Sequence, residues 1–308
     1  MPRNPFANHL FLPALGIVAA LLVVGIAAVL LAEHKPLRVV RRSTLFVRMR
    51  TWLWIAPLFV VCLFAGGFVL FVPAVFVTVQ ALSEYVRLVG LGRRYGLLLM
   101  IASVIGLIIG ATARDLFVFL PFGFFIVLTL IPVASGQVEG AARQVAAALF
   151  GYVYIGLPMA FLAWVKTGQP WGLAFLLLVA AGVGLSDVAG FAAGSALRTP
   201  RLPAWAGGGK TWSATAGNLL GAAAGVAALT IVLPDAWGVA EAAALALATG
   251  LGSVWGDLTG AFLKRDFAVK DTGSLLFGFG GLLERVDSLL FAAPLGYVAI
   301  VLAGHLAH

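Results

Sequence analysis

The sequence predicts an all-α polytopic membrane protein of about ten transmembrane helices, with a polar site gathered on its inner face. Three observations carry that prediction. Hydrophobic residues make up 62% of the 308 residues and charged residues 10%, against roughly 45–50% and about 25% in a soluble domain. The apolar residues fall into runs that approach the ~20 residues a hydrocarbon core demands. The positive charges segregate when those runs are threaded alternately. With the N-terminus outside, the outer segments carry Arg3, Arg114 and Lys166, and the inner segments carry all the rest of the 20 Lys and Arg residues, as the positive-inside rule requires.

The predicted spans, in order, are 10–32, 52–66, 68–86, 96–113, 115–134, 145–165, 171–193, 213–233, 237–256 and 287–304. The first is too long for a signal-peptide core and has no small-residue cleavage site before the next apolar run. The second is short and nearly touches the third at Gly66-Gly67. Pro57, Pro73, Pro121 and Pro158 fall inside spans, where neighbouring helices can satisfy the freed backbone groups. The 37 glycines suit close helix packing in lipid. Cys62 is the single cysteine, so no internal disulfide forms, and it reads as a packed or lipid-facing thiol.

Two units follow from this map: residues 1–51, a first span with a basic segment, and a membrane domain over 52–308. The segment "HKPLRVVRRSTLFVRMRT" (34–51) reads as a positive-inside determinant or as an interfacial helix against anionic headgroups. The net charge of +8 is explained by such segments and does not point to nucleic acid. Both termini are predicted outside.

Two inner segments carry more than topology requires. Asp187 closes the seventh apolar run, in "LSDVAGFAAG" (185–194). A carboxylate there costs about 2.5–3.5 kcal/mol at mid-membrane and calls for a cation, a metal or water. It leads to "GGGKTWSATAGN" (207–218). Backbone N–H groups followed by a lysine and a hydroxyl are the parts of a phosphate cradle, or of an ordinary loop. The Walker spacing is absent, because position 204 is Ala.

The second segment is "GDLTGAFLKRDFAVKDTGSLLFGFGGLLERVDS" (256–288). On a helix, Asp257, Ala261 and Lys264 share a face at i, i+4 and i+7, with Arg265 beside them. Glu284 and Asp287 form an i, i+3 pair flanking Arg285. Asp257, Glu284 and Asp287 are therefore candidate ligands for one or two hard cations, since Mg²⁺ takes oxygen ligands and keeps substrate phosphates in its shell. Lys264, Arg265, Lys270 and Arg285 match a polyphosphate. Gly273, Gly278, Gly280 and Gly281 allow close backbone approach. The positive-inside rule accounts for the basic residues here but not for carboxylates at both membrane borders.

This segment resembles the signature of the phosphatidate cytidylyltransferases (CDP-diacylglycerol synthases): G-D, then S-x-x-K-R, K-D-x-G, H-G-G and D-R-x-D. Gly256, Asp257, Lys264, Arg265, Lys270, Asp271, Gly273, Gly280, Gly281, Arg285 and Asp287 match in place. Upstream, Asp187, Gly190, Phe191, Gly194, Lys210 and Thr211 fit the family's second element, and "SEY" (83–85) resembles the end of an early helix. The resemblance spans roughly 50–306. The chain departs from the pattern at Ala261, Phe277, Phe279, Glu284, Ser213, Ala214 and Gly207-Gly208.

The resemblance implies transfer of CMP from CTP to a membrane lipid phosphate, phosphatidate foremost, at an integral inner-membrane site facing the cytoplasm. It implies Mg²⁺, with room for a second cation, and a homodimer. Asp257, Lys264, Arg265, Asp271 and Asp287 would be catalytic, and Asp257, Glu284 and Asp287 would hold the metal. Asp187, Lys210, Thr211, Lys270 and Arg285 would bind substrate. Two other readings remain open from the residues: an inactive or substrate-shifted relative that binds lipid or a partner, and an ion-coupled transporter.

Overall fold

The structure, a computed structural model, describes residues 4–33, 44–136, 138–197, 199–203, 209–269, 272–273 and 281–306. Ten helices order these residues. They are α1 (Phe11–Glu33), α2 (Thr44–Ala65), α3 (Gly67–Val89), α4 (Arg93–Thr112), α5 (Leu120–Ser135), α6 (Ala141–Gly168), α7 (Gly172–Ala196), α8 (Trp212–Ala228), α9 (Val239–Asp266) and α10 (Leu283–Leu306). Each predicted span overlaps one of them. Among the described residues, seven helices are long and apolar enough to cross a membrane, and Phe11–Val23 and Leu53–Ala65 are shorter apolar stretches. β-structure among the described residues is one antiparallel bridge, Arg201 with Thr211. The chain is an all-α integral membrane protein.

Several boundaries move in ways that matter. Helix α2 starts at Thr44, so the C-terminal part of the basic segment continues the second helix, while 34–43 lies outside the described residues. Pro121 stands in the first turn of α5, where a missing N–H costs nothing. Helix α9 runs ten residues past its predicted end at 256, to Asp266. Helix α10 starts four residues before its predicted start at 287, at Leu283. Both extensions place the charged signature residues on helices.

Side chains that alternate threading assigns to the same face do meet. At one end, the Gly92 N–H donates to Gln144 Oε1 (2.8 Å) and the Tyr85 hydroxyl to the Ala147 carbonyl (2.7 Å). At the other, Arg114 donates to the Thr167 and Gly168 carbonyls, and Trp171 packs on Trp237.

Two glycine ladders set the helix pairs that carry the site. Gly217, Gly221 and Gly225 on α8 face the α7 backbone at Ala189, Leu185 and Ala181, so close that a Cβ at any of them would run into a carbonyl. Gly252 and Gly256 on α9 face the α10 backbone at Ala292 and at Asp287-Ser288 in the same way, and a Cβ on Gly260 would meet Asp287 Oδ2. With no hydrophobic drive between helices in lipid, such close backbone approach supplies the packing energy. Both pairs run antiparallel.

Two apolar clusters complete the interior. One gathers Phe11, Leu63, Phe175 and Leu245. The other gathers Leu82, Tyr85, Leu99 and Tyr152. Helix α10 joins them, giving Leu283 and Leu290 to the second and Ala292, Ala293 and Ile300 to the first.

Candidate active site

The register of the α9–α10 pair decides which charged residues meet. Gly252 lies at Ala292 and Gly256 at Asp287-Ser288. One turn past Gly260, which meets the Asp287 carboxylate, Lys264 pairs with Glu284 at 3.3 Å. Four residues of α-helix rise about 6 Å, so Asp287 and Glu284 occupy successive rungs. Asp287 turns in against Gly260, is 6% exposed, and accepts the Ser288 N–H at 2.7 Å. Glu284 instead accepts from the Lys264 ammonium and, at 3.0 Å, from the Thr272 N–H.

Asp257 projects from the same α9 surface and forms an ion pair with Lys210. Lys210 is presented by the segment leading into α8. Its carbonyl accepts the Leu202 N–H (2.7 Å), and the Trp212 N–H donates to the Pro200 carbonyl (3.2 Å). Thr211 is the N-cap of α8: its hydroxyl accepts the Ala214 N–H at 3.2 Å and contacts Ser213 Oγ at 3.0 Å. The Thr199 hydroxyl donates to Ser213 Oγ at 2.8 Å, so Ser213, where the family pattern has Glu, is part of this cap. Thr211 thus has a structural task besides the substrate role expected of it.

The charges that Asp287 senses are Asp257, Asp187 and Lys210. Asp187 comes from α7, carried there by the α7–α8 ladder. Asp187, Asp257 and Asp287 thus come from three helices, with Lys210 paired to Asp257, and the acidic excess of this region fits a bound cation. Among the described residues, no three His, Cys, Asp or Glu side chains converge as a preformed ion cage. Mg²⁺ usually takes one or two carboxylates and completes its shell with water and substrate phosphate. Asp257 and Asp287 are the residues that could hold it, and Glu284 is one rung away on Lys264.

Arg265 lies at the end of α9, where its Nε donates to the Ala261 carbonyl at 3.1 Å. Arg285 is half-buried in the first turn of α10. Lys270, Asp271, Phe277 and Phe279 lie outside the described residues.

Two residues at the site were not expected from the pattern. Glu84, on α3, is 0% exposed. Its carboxylate accepts the N–H groups of Leu282 (3.0 Å) and Leu283 (2.9 Å), and the Gln80 amide donates to it at 3.1 Å. It caps α10, its carboxylate oxygens set at the positive end of the helix dipole. Gly273 and Gly281 press against it: a Cβ on either would collide with the Glu84 carboxylate. That is a physical reason for glycine at two signature positions. The "SEY" likeness was the available signal.

The other is Tyr154. Helix α6 contains a π-helical turn over Tyr152–Gly156. Pro158 has no N–H to give the Tyr154 carbonyl, and the Leu157 N–H reaches back five residues to Tyr152. Tyr154 is 5% exposed, and its hydroxyl is buried with no hydrogen-bond partner among the described residues. It senses the charges of Asp287 and Asp257. An isolated tyrosine has no sequence signature.

Comparison with known proteins shows what the chain is similar to. A family profile described as "Cytidylyltransferase family" matches residues 46–303. A phosphatidate cytidylyltransferase of Brucella suis is 37% identical over 150 residues, 48% of this chain and 54% of that protein. The chloroplastic phosphatidate cytidylyltransferase 5 of Arabidopsis thaliana is 32% identical over 191 residues, 52% of this chain and 46% of that protein. The chain thus matches about half the length of these relatives. An uncharacterized Escherichia coli protein, YnbB, is 28% identical over 260 residues, 82% of this chain and 86% of that protein.

Proposed function

Because the chain belongs to the cytidylyltransferase family, we propose that it transfers CMP from CTP to a membrane lipid phosphate, phosphatidate foremost, releasing pyrophosphate. The observation that carries the reading is the Lys210–Asp257 ion pair on the helix α9 that also packs against the buried Asp287 at Gly256 and Gly260. An oxygen of the lipid phosphate forms a bond to the α-phosphorus of CTP. The bond from that phosphorus to the bridging oxygen breaks, and its electron pair leaves with pyrophosphate. No protein nucleophile is needed, so the residues act by positioning and charge neutralisation.

Lys210 offsets phosphate charge and is aimed by Asp257. Lys264, oriented by Glu284, and Arg265 extend the cationic lining, with Lys270 and Arg285 in the same role. Asp187 and Asp271 orient these cations. Mg²⁺, held by Asp257 and Asp287, with Glu284 as a further ligand if Lys264 releases it, would supply Lewis-acid stabilisation of the pyrophosphate oxygens. The site faces the cytoplasm, where CTP is available, and opens sideways to lipid.

A substrate shift within this chemistry is the second reading. Two observations favour it: Glu284 is committed to Lys264, and Ser213 stands in the α8 cap where the pattern has Glu. A panel of lipid phosphates with purified protein separates the two. CTP-dependent pyrophosphate release with phosphatidate is expected, falling to background on chelation and returning with Mg²⁺. Release with a different lipid phosphate alone establishes the shift, and no release with any lipid phosphate refutes both.

A further inference from the structure

The approach to α8 folds back on itself just before the helix begins. The Leu202 N–H donates to the Lys210 carbonyl at 2.7 Å and the Trp212 N–H to the Pro200 carbonyl at 3.2 Å, on either side of the Arg201–Thr211 bridge. These bonds form a clasp that holds the backbone of Lys210 and Thr211 in place.

Three hydroxyls run across the end of the clasp. The Thr199 hydroxyl accepts the Ser213 N–H at 2.9 Å and donates to Ser213 Oγ at 2.8 Å. Its one hydrogen is then committed, so Ser213 sends its own hydrogen onward, and Thr211 Oγ1 stands 3.0 Å away. Thr211 Oγ1 also accepts the Ala214 N–H at 3.2 Å. A hydroxyl has two acceptor sites and one donor. Both acceptor sites of Thr211 are therefore filled, and among the described residues its hydrogen meets no acceptor. Ser213 is buried, while Thr211 is half-buried against Gly194 in the last turn of α7. Gly194 lies seven residues beyond Asp187, about 10 Å along the helix.

We propose that Thr199 and Ser213 are positioning residues, which fix the Thr211 hydroxyl so that its hydrogen donates to a phosphate oxygen of CTP. This rests on the proposed reaction. It adds Thr199, which no part of the family pattern marks, and gives the departure at 213 a task. A glutamate there offers only acceptors when ionised and would take the Thr211 hydrogen for itself. Serine accepts at one end and donates at the other, so the chain runs from Thr199 to Thr211 and ends in a free donor. The donor lies beyond Asp187 toward the inner end of α7, the side from which a water-soluble nucleotide enters. Lipid enters from the side of the bundle.

Equilibrium binding of radiolabelled CTP with Mg²⁺ to the purified full chain tests this without turnover. Thr199→Val keeps the shape and removes the hydroxyl. It should weaken CTP binding about tenfold, the scale of one hydrogen bond to a charged group, and Ser213→Ala should do the same. The backbone bonds of the clasp remain, so the melting temperature should hold. Thr199→Ser restores the hydroxyl and should restore wild-type binding. In a Thr211→Val background, Thr199→Val should cost nothing further, because it acts through Thr211.

In turnover, KM for CTP should rise in Thr199→Val while KM for phosphatidate stays unchanged, which separates the nucleotide's phosphates from the lipid's. Unchanged CTP binding in Thr199→Val, no recovery in Thr199→Ser, additive losses in the double variant, or a melting temperature lowered in step with binding would each overturn the proposal. So would a rise in the phosphatidate KM alone, or a wild-type chain that binds no CTP. A chain that binds CTP in the expected pattern yet forms no CDP-lipid refutes the reaction and leaves the positioning of Thr211 standing.

Discussion

Asp287→Asn is expected to lower CDP-lipid formation by about 10³-fold or more, a loss of roughly 4 kcal/mol of transition-state stabilisation, while leaving the protein folded. The amide has the shape of the carboxylate, and its oxygen can still accept the Ser288 N–H that Asp287 Oδ1 accepts at 2.7 Å. What disappears is a carboxylate oxygen that could bind a cation, at a position 6% exposed. Lys210 keeps its partner Asp257. The amide keeps the shape of the side chain and its contact with the Ser288 N–H, so the melting temperature should hold. A structural role would instead lower it. Turnover within tenfold of wild type, at equal melting temperature, would remove Asp287 from the mechanism.

Glu84→Ala is expected to damage both stability and activity. Among the described residues Glu84 bonds none of those assigned to phosphate or metal; it holds the start of α10. Its loss strands the Leu282 and Leu283 N–H groups in a buried setting, at about 1–3 kcal/mol for each orphaned donor. It also leaves a void where Gly273 and Gly281 close in. The melting temperature should fall by several degrees, and kcat should drop roughly 10- to 100-fold as α10 and its approach loosen. Glu84→Gln keeps one acceptor oxygen and should fall between alanine and wild type on both measures. Full activity in Glu84→Ala would show that the tether is dispensable to the site.

These two residues also mark how far the sequence could be read. Asp287 lies in a charged stretch where positive-inside bias explains the lysines and arginines but not the acids, so composition alone draws attention to it. Apolar runs located each of the ten helices, and helical spacing put Asp257 and Lys264 on one surface. Register was beyond that reach. Glu284 and Asp287 look like a pair at i, i+3, yet the α9 glycines place them on successive rungs, one facing Gly260 and the other Lys264. That follows only from which glycine meets which backbone atom across the helix pair.

Glu84 illustrates a different limit. Its hydrogen bonds to Leu282 and Leu283 close 198 and 199 residues of chain, far outside any local window. Tyr154 owes its orientation to a π-helical turn caused by Pro158, an event of one hydrogen bond that periodicity does not register. Thr211 was legible as a match to the family pattern, but the support of its cap through Ser213 was not, because Thr199 reaches Ser213 only once the approach to α8 folds back.

The most direct test of the account follows the phosphorus. Purified protein is given CTP labelled at the α-phosphate or at the γ-phosphate, with Mg²⁺ and phosphatidate in mixed micelles. The account predicts α-label in the chloroform-soluble CDP-lipid and γ-label in soluble pyrophosphate, in equal amounts. Neither label reaching lipid or pyrophosphate, with phosphatidate or any other lipid phosphate present, would contradict it.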